Sequence, residues 1–278
     1  MLAQLGEEAK LLAGGQSLIP LMKLRFANPR HLVDINFIPN VAYIKEDKGR
    51  LRFGALTRHA EIEDSAAAAK IPIIHDCAAG IADVQVRNRG TIGGSIAEAD
   101  PSGDWATVLL TLQTSVRCVG RKGERTVALN KFIADAFTTV LARDEMVSEI
   151  VIKFPPRGSG GAYLAFKRAA PVYPTASAAV QLVMDGQVCK DAAISLGGVG
   201  LTAVKALEAE AVLRGHKISE KSINQAAEAA RAAADPQSDM RGSADYKRTL
   251  VGALMKRAIL IAARRARGEQ VELGHIYA

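Results

Sequence analysis

Residues 11–25 read LLAGGQSLIPLMKLR: a hydrophobic run stops at two adjacent glycines, and an amphipathic run begins just after a small hydroxyl residue. Residues without a Cβ at such a junction permit positive φ and let a phosphate or another backbone come close. Flanking N–H groups and hydroxyls can then donate to phosphate oxygens. A second glycine pair lies downstream in RNRGTIGGSIAEADPSGDW, residues 87–105, again followed by serine. Gly14-Gly15-Gln16-Ser17 and Gly93-Gly94-Ser95 could hold a pyrophosphate from two sides, although each loop by itself also reads as a tight turn. Neither spells GxGxxG or GxxxxGK[ST], so a Rossmann or nucleotide-hydrolase site is unsupported. On residue chemistry alone the chain is an anion-binding α/β protein.

Composition agrees with an ordered globular chain: 278 residues, long enough for two domains, with 49% apolar and 23% charged residues. No apolar run approaches the roughly 18 residues of a membrane span, and the opening MLAQLGEE lacks a signal-peptide core, so a soluble cytoplasmic protein is expected. The net charge of +7 is spread among acidic residues. Its one basic cluster, KRAILIAARRAR at 256–267, has helical spacing and few aromatics nearby to stack on bases, so it reads as a solvated helix face, with no nucleic-acid partner expected. Cys77, Cys118 and Cys189 are scattered, with no CxxC and no Cys/His pair at ligand spacing. No metal site is expected in this chain, neither an iron–sulfur cluster nor a structural zinc. His31, His59, His75, His216 and His275 are equally dispersed and read as packing or surface residues, so no catalytic residue can be named.

Along the chain, Lys10 to Ala13 and HLVDI at 31–35 look like strands, and Val41 to Leu56 reads as a hairpin turning at Asp47-Lys48-Gly49. Thr57 is a candidate cap for a helix through Glu63, a further helix should cover Ile73 to Ala82, and Asp104 is a candidate N-cap for one over Trp105 to Leu112. Val140 to Phe154 is β-like and ends at PPRGSGG, 155–161, the clearest linker signal. Beyond it, Ala162 to Arg168, Ser177 to Met184 and Val188 to Leu196 read as antiparallel strands, with a turn at Asp185-Gly186. Helices follow over Ala203 to Leu213, Ile218 to Ala233 and Ala244 to Ala266, with Asp235-Pro236 as a break.

LLAGGQSLIPLMKLRFANPRHLVDI followed by IADVQVRNRGTIGGSIAEADPSGD closely resembles the FAD-binding (medium) subunit of the molybdenum hydroxylases, the carbon monoxide dehydrogenase and xanthine dehydrogenase family, nearest to the aerobic carbon monoxide dehydrogenase type. The resemblance implies an α+β fold with α/β-type lobes: a vanillyl-alcohol-oxidase (PCMH) type FAD-binding domain of two lobes over residues 1–157, then a smaller α+β C-terminal domain, antiparallel sheet plus helices, over 158–278. The family also begins with a further strand and helix start, so this chain is expected to open inside that helix, at Leu2 to Ala9.

Residue by residue, the resemblance places Leu11, Leu12, Ala13, Gly14, Gly15, Gln16, Ser17 and Leu18 in a first FAD loop and Thr91, Ile92, Gly93, Gly94 and Ser95 in a second. Ile81 matches an upstream contact, and Asp104 a carboxylate that accepts from a flavin hydroxyl. Lys167, in LAFKRA, matches a cation near the isoalloxazine ring, Tyr173 a tyrosine covering the flavin face, and Val147, in DEMVSEIVI, a hydrophobic ring contact. On residues alone, an exposed strand lysine and a packed tyrosine stand level with these functional readings. The family departs from this chain at Val84, where proline is common, at Val172, which replaces an aspartate, and at Pro174 after the tyrosine.

The function implied is electron transfer: non-covalent FAD takes electrons from [2Fe–2S] clusters of a small subunit, which serve a molybdopterin cofactor in a large subunit, and passes them to NAD or a quinone-type acceptor. A dimer of heterotrimers is the assembly implied. Two alternatives stand beside it. A free-standing vanillyl-alcohol-type flavin oxidase often carries a covalent His or Cys link, and neither residue falls in the glycine motifs. A flavin-free assembly subunit would not need the intact AGGQS and TIGGS loops.

Overall fold

The computed structural model describes residues 1–273. After a short helix α1 (Leu2–Leu5), β1 (Ala9–Leu12) runs parallel to β2 (His31–Asp34), with α2 (Leu18–Lys23) in the crossover. This small lobe is largely exposed. β3 (Ile44–Asp47) and β4 (Arg50–Gly54) form the expected hairpin, closed by Lys48 and Gly49 at φ 46° and 75°. Two successive residues in the left-handed region match the twist of a two-residue hairpin, and glycine makes the second cheap.

Five short helices follow: α3 (His59–Glu63), α4 (Ala66–Ala69), α5 (Pro72–Gly80), α6 (Val84–Arg87) and α7 (Ile92–Glu98), then α8 (Asp104–Leu109). Thr57 does not cap α3: Arg58 is the N-cap, its N–H bound by Glu61 at 2.7 Å, while the Thr57 hydroxyl pairs with the backbone of Tyr43. Asp104 is likewise the first helical residue of α8 rather than its cap, which is Gly103. β5 (Thr114–Gly120), β6 (Gly123–Ala128), α9 (Leu129–Phe132), the small pair β7 (Ile133–Asp135) and β8 (Thr138–Thr139), and β9 (Met146–Lys153) complete this part. Its five-stranded sheet has the order β3-β4-β9-β5-β6 and packs the helices over a core that includes Phe53, Ile92, Trp105 and Phe132, all fully buried.

β10 (Ser159–Phe166) starts inside the run read as a linker. A Cβ on Gly160 would meet the backbone of Ala262 and Ala266, so these glycines mark close strand-to-helix packing rather than a flexible tether. β11 (Ala176–Asp185) and β12 (Val188–Gly197) continue the antiparallel sheet, whose order is β10-β11-β12-β13. Val204 and Lys205 form the edge strand β13 instead of opening a helix, and α10 (Leu207–Leu213) begins after them. α11 (Glu220–Ala233) carries a Ser219/Ser222 capping box, and α12 (Ala244–Ala266) is capped by Ser243. These helices cover one sheet face with small residues, Ala226, Ala230, Ala258 and Ala262 among them, which lets the backbones come close.

The two sheets are tied by buried polar contacts. Arg265 of α12 pairs with Asp76 of α5 at 2.6 and 3.0 Å, with side chains 8% and 2% exposed, and Tyr163 of β10 donates its N–H to the same carboxylate at 3.1 Å. The basic cluster is therefore not wholly a solvated face: Lys256 and Arg257 are exposed, whereas Arg265 is a packing cation. Among the described residues no helix is long and apolar enough to cross a membrane, and no group of His, Cys, Asp and Glu could hold a metal ion.

Candidate functional site

A cleft of ≈ 1070 Å³, open mouth included, lies where the small β1–β2 lobe, the α5–α8 helices and the start of the second sheet meet. The strand-to-helix turn from β1 to α2 forms one wall, with Leu11, Ala13, Gly14, Gly15, Gln16, Ser17 and Leu18 along it. Gly15 adopts φ 74°, which reverses the chain so that its neighbours' N–H groups diverge from the strand. The amide N–H groups of Gly14, Gly15, Gln16, Ser17 and Leu18 meet no protein acceptor among the described residues. Such a row of unpaired backbone donors at a concave surface makes a nest for an anion.

The second loop is built differently. Ile92 donates its N–H to Thr57 O at 3.1 Å, Gly93 to Ala55 O at 2.9 Å and Gly94 to Thr91 Oγ1 at 3.1 Å, so its amides are already satisfied inside the protein. Thr91, Gly94 and Ser95 line the cleft and offer hydroxyls there, while Ile92 points into the core and the bare face of Gly93 meets Ala55. A symmetric cradle of two donor loops is thus replaced by one donor loop and one packing loop. They touch, because a Gly14 Cβ would lie against Arg89 O and 2.8 Å from Gly90 Cα.

Elsewhere in the cleft wall, Lys167 and Asp104 face each other at 3.4 Å, 7% and 5% exposed, with Lys167 Nζ also donating to Gly80 O at 2.5 Å. Lys167 is not the exposed strand residue its sequence context allows. Tyr163 donates its hydroxyl to Asp104 Oδ1 at 2.7 Å, and burial beside that carboxylate pushes its phenol well up. Ile81 lies nearby at the α5 C-terminus. Tyr173 stands at the mouth, 40% exposed, its ring 5.9 Å from the Arg241 guanidinium.

Four of the eighteen residues singled out do not line the cleft: Leu12, Ile92, Gly93 and Val147. Val147 is a correction. It sits on β9 opposite Cys118, 5% exposed in the core, because the alternation of that strand turns it inward, and a ring contact through its side chain is not supported.

The structure also adds residues. His59, Gly90, Glu98 and Asp100 line the cleft, and burial pushes both carboxyls above their usual range. Ala82 in the wall and Ala99 beneath it hold φ 43° and 52°, strained for alanine, as is common where a site over-determines its backbone. Behind the loops, Asn36 Nδ2 donates to Ala13 O at 2.9 Å, while Arg58 donates to Asn36 Oδ1 at 2.6 Å and to Arg89 O at 2.5 Å, clamping both loops from outside. Only Gly90 had a sequence signal, as the residue preceding TIGGS. The rest follow from tertiary placement.

This donor set fits the FAD implied by the sequence resemblance: an amide row suited to a pyrophosphate and a buried cation suited to an electron-rich ring line one cleft. Cys77, Cys118 and Cys189 are all buried, and burial raises each thiol pKa, so none is poised as a nucleophile.

Comparison with known proteins agrees with the geometry. Residues 1–155 match the family model described as the FAD binding domain in molybdopterin dehydrogenase, and residues 161–262 that of the CO dehydrogenase flavoprotein C-terminal domain. The carbon monoxide dehydrogenase medium chain of Afipia carboxidovorans is 40% identical over 268 residues, 96% of this chain and 93% of that one. The 6-hydroxypseudooxynicotine dehydrogenase complex subunit alpha of Paenarthrobacter nicotinovorans is 37% identical over 277 residues, 99% and 94% of the two chains. Among solved structures, a chain of the Hydrogenophaga pseudoflava carbon monoxide dehydrogenase that lacks the Mo-pyranopterin moiety of its cofactor superposes with a TM-score of 0.92 at 40% identity, covering 95% of this chain and 92% of that one.

Proposed function

The chain belongs to the FAD-binding medium subunits of the molybdenum hydroxylases, and from that premise we propose that it is the electron-transfer subunit of a multi-subunit oxidoreductase. The observation that carries the reading is the row of unpaired amides from Gly14 to Leu18, which opens onto the same cleft as the buried Lys167. In it, FAD held non-covalently would supply electron transfer between [2Fe–2S] clusters of a small subunit and NAD or a quinone-type acceptor, while substrate oxidation belongs to a molybdopterin-binding large subunit.

The roles of the chain's own residues follow from their places. The first loop donates N–H groups to the pyrophosphate, Thr91 and Ser95 add hydroxyls, and Asp104 accepts from a ligand hydroxyl. Lys167 supplies positive charge near the ring, and Tyr173 covers the mouth. No side chain is assigned to general acid–base or nucleophilic work. The relatives named above are subunits of enzymes for quite different molecules, carbon monoxide and 6-hydroxypseudooxynicotine, so the substrate is set elsewhere in the complex. A division into an FAD-binding domain, 1–157, and a C-terminal domain, 158–278, a cytoplasmic location and a dimer of heterotrimers are parts of the same proposal.

The test is a visible spectrum of the purified chain before and after FAD addition, followed by acid release. One releasable FAD per chain and no alcohol oxidase turnover support the electron-transfer subunit. Covalent flavin with turnover would favour a free-standing oxidase, and a folded chain that takes up no flavin, alone or with co-expressed partner subunits, would favour an assembly role.

A further inference from the structure

His59 is 5% exposed, and its ring lines the cleft wall. Its two nitrogens are not equivalent. Trp105 Nε1, which can only donate, donates to His59 Nδ1 at 3.1 Å, so Nδ1 is the unprotonated nitrogen and the neutral ring carries its proton on Nε2. Burial, reinforced by the positive charges of Arg58 and Arg87, pushes the imidazole down to about 3, so the ring is neutral at any ordinary pH.

The Nε2–H group meets no acceptor among the described residues, and His59 is part of the cleft wall. A buried donor without an acceptor is costly in an apolar wall, and it is retained most economically where a ligand completes it. Its position identifies the part of the ligand concerned. A Cβ on Gly90 would stand 2.7 Å from His59 Nε2, and Gly90 Cα in turn occupies the space that a Gly14 side chain would need. The nitrogen thus lies at the junction of the two glycine loops, beside the unpaired amide row.

We propose that His59 is a further ligand-binding residue whose Nε2–H, aimed by Trp105, donates to the pyrophosphate of the dinucleotide where the two loops meet. The proposal rests on the FAD reading of the cleft. His59 adds a donor whose tautomer is fixed by the Trp105 indole. Trp105 is the positioning residue: without its indole the ring is free to move its proton to Nδ1.

The test is titration of the flavin-stripped full chain with FAD and, separately, with ADP, which keeps the pyrophosphate but has no flavin. His59→Phe removes the donor and should weaken both ligands by roughly tenfold or more. His59→Gln restores an N–H donor near the Nε2 position and should recover most of the affinity. In the wild-type chain, the histidine Nε2–H signal seen by nitrogen-15 NMR should shift on adding ADP, a readout independent of any variant's folding. Unchanged FAD affinity in His59→Phe, equal losses in the Phe and Gln variants, or an unmoved Nε2 signal with ADP bound would each overturn the role of His59 and leave the FAD site standing. A wild-type chain that binds neither ligand would overturn both.

Discussion

The carbonyl of Arg89 stands in the space a Gly14 side chain would take, so the two glycine loops are joined backbone to backbone. The glycines therefore do unequal work. Gly93 faces away from the cleft: its missing Cβ would lie 2.6 Å from Ala55 O and 2.7 Å from Ala55 Cα.

Gly93→Ala is accordingly expected to act on folding, lowering stability by about 1–3 kcal/mol as an overpacked site, with flavin lost in proportion to the unfolded fraction. Ser17→Ala should do the opposite, leaving the melting temperature unchanged while weakening FAD. Paired thermal melts and FAD titrations distinguish the two. A Gly93→Ala chain of normal stability that binds no FAD would return Gly93 to the ligand contacts.

Lys167 and Asp104 form a buried charge pair in the cleft, and on the proposed reading, which sets the flavin ring beside them, the prediction follows from sign alone. Lys167→Met removes the cation that favours an electron-rich ring and leaves Asp104 behind, so the midpoint potential of bound flavin should fall. One unit charge about 4 Å away is worth roughly 1–4 kcal/mol between water-like and protein-like screening. Asp104→Asn removes the opposing charge and should raise the potential. Spectroelectrochemical titration of both variants is the check; shifts of the same sign would disconnect the pair from the ring.

How much of this was legible in the sequence depends on range. Some local signals held: Lys48-Gly49 turned its hairpin, the helix read over Ala244 to Ala266 formed with those bounds, and the AGGQS loop formed a strand-to-helix turn, whereas the caps read at Thr57 and Asp104 lay one residue off. Signals with two local meanings failed. The glycines of PPRGSGG read as a linker because their closeness to Ala262 is a tertiary fact, and Val204-Lys205 joined a helical pattern until the sheet edge claimed them. Within the site, the glycine motifs were legible because a ligand or a backbone must come close there. His59, Asn36 and Arg58 were not, since nothing in their neighbours' chemistry distinguishes a residue that reaches a loop from one that faces solvent. Val147 failed for a similar reason: the alternation of β9 shows that it faces one side, but not which side is core.

Asp76 and Arg265 join α5 to α12 in a nearly dry environment. Removing one partner strands a buried charge, so Asp76→Leu and Arg265→Met should each cost about 3–5 kcal/mol, whereas the double change should recover much of that loss. Chemical denaturation of the two single variants and the double variant gives the coupling directly. Additive losses would show that the ion pair is a spectator of the packing around it.

His59 also leaves a signature on stability against pH. Its folded-state value is held down at about 3 by burial, against 6.5 for a free imidazole, so the unfolded chain binds an extra proton between those limits. Stability from this group is complete above pH 6.5 and declines as pH falls toward 3, with a slope of up to about 1.4 kcal/mol per pH unit. Glu98 and Asp100, whose carboxyls are raised by burial, work in the opposite sense, because protonation suits their folded environment. Both carboxyls are shared by the wild-type chain and a His59 variant, so the difference between the two chains isolates the imidazole. Unfolding free energies at pH 7, 6 and 5 should fall steadily in the wild-type chain and much less in His59→Gln, which has no proton to gain. Equal acid slopes in the two chains would mean that the ring is hydrated enough to titrate in the folded state.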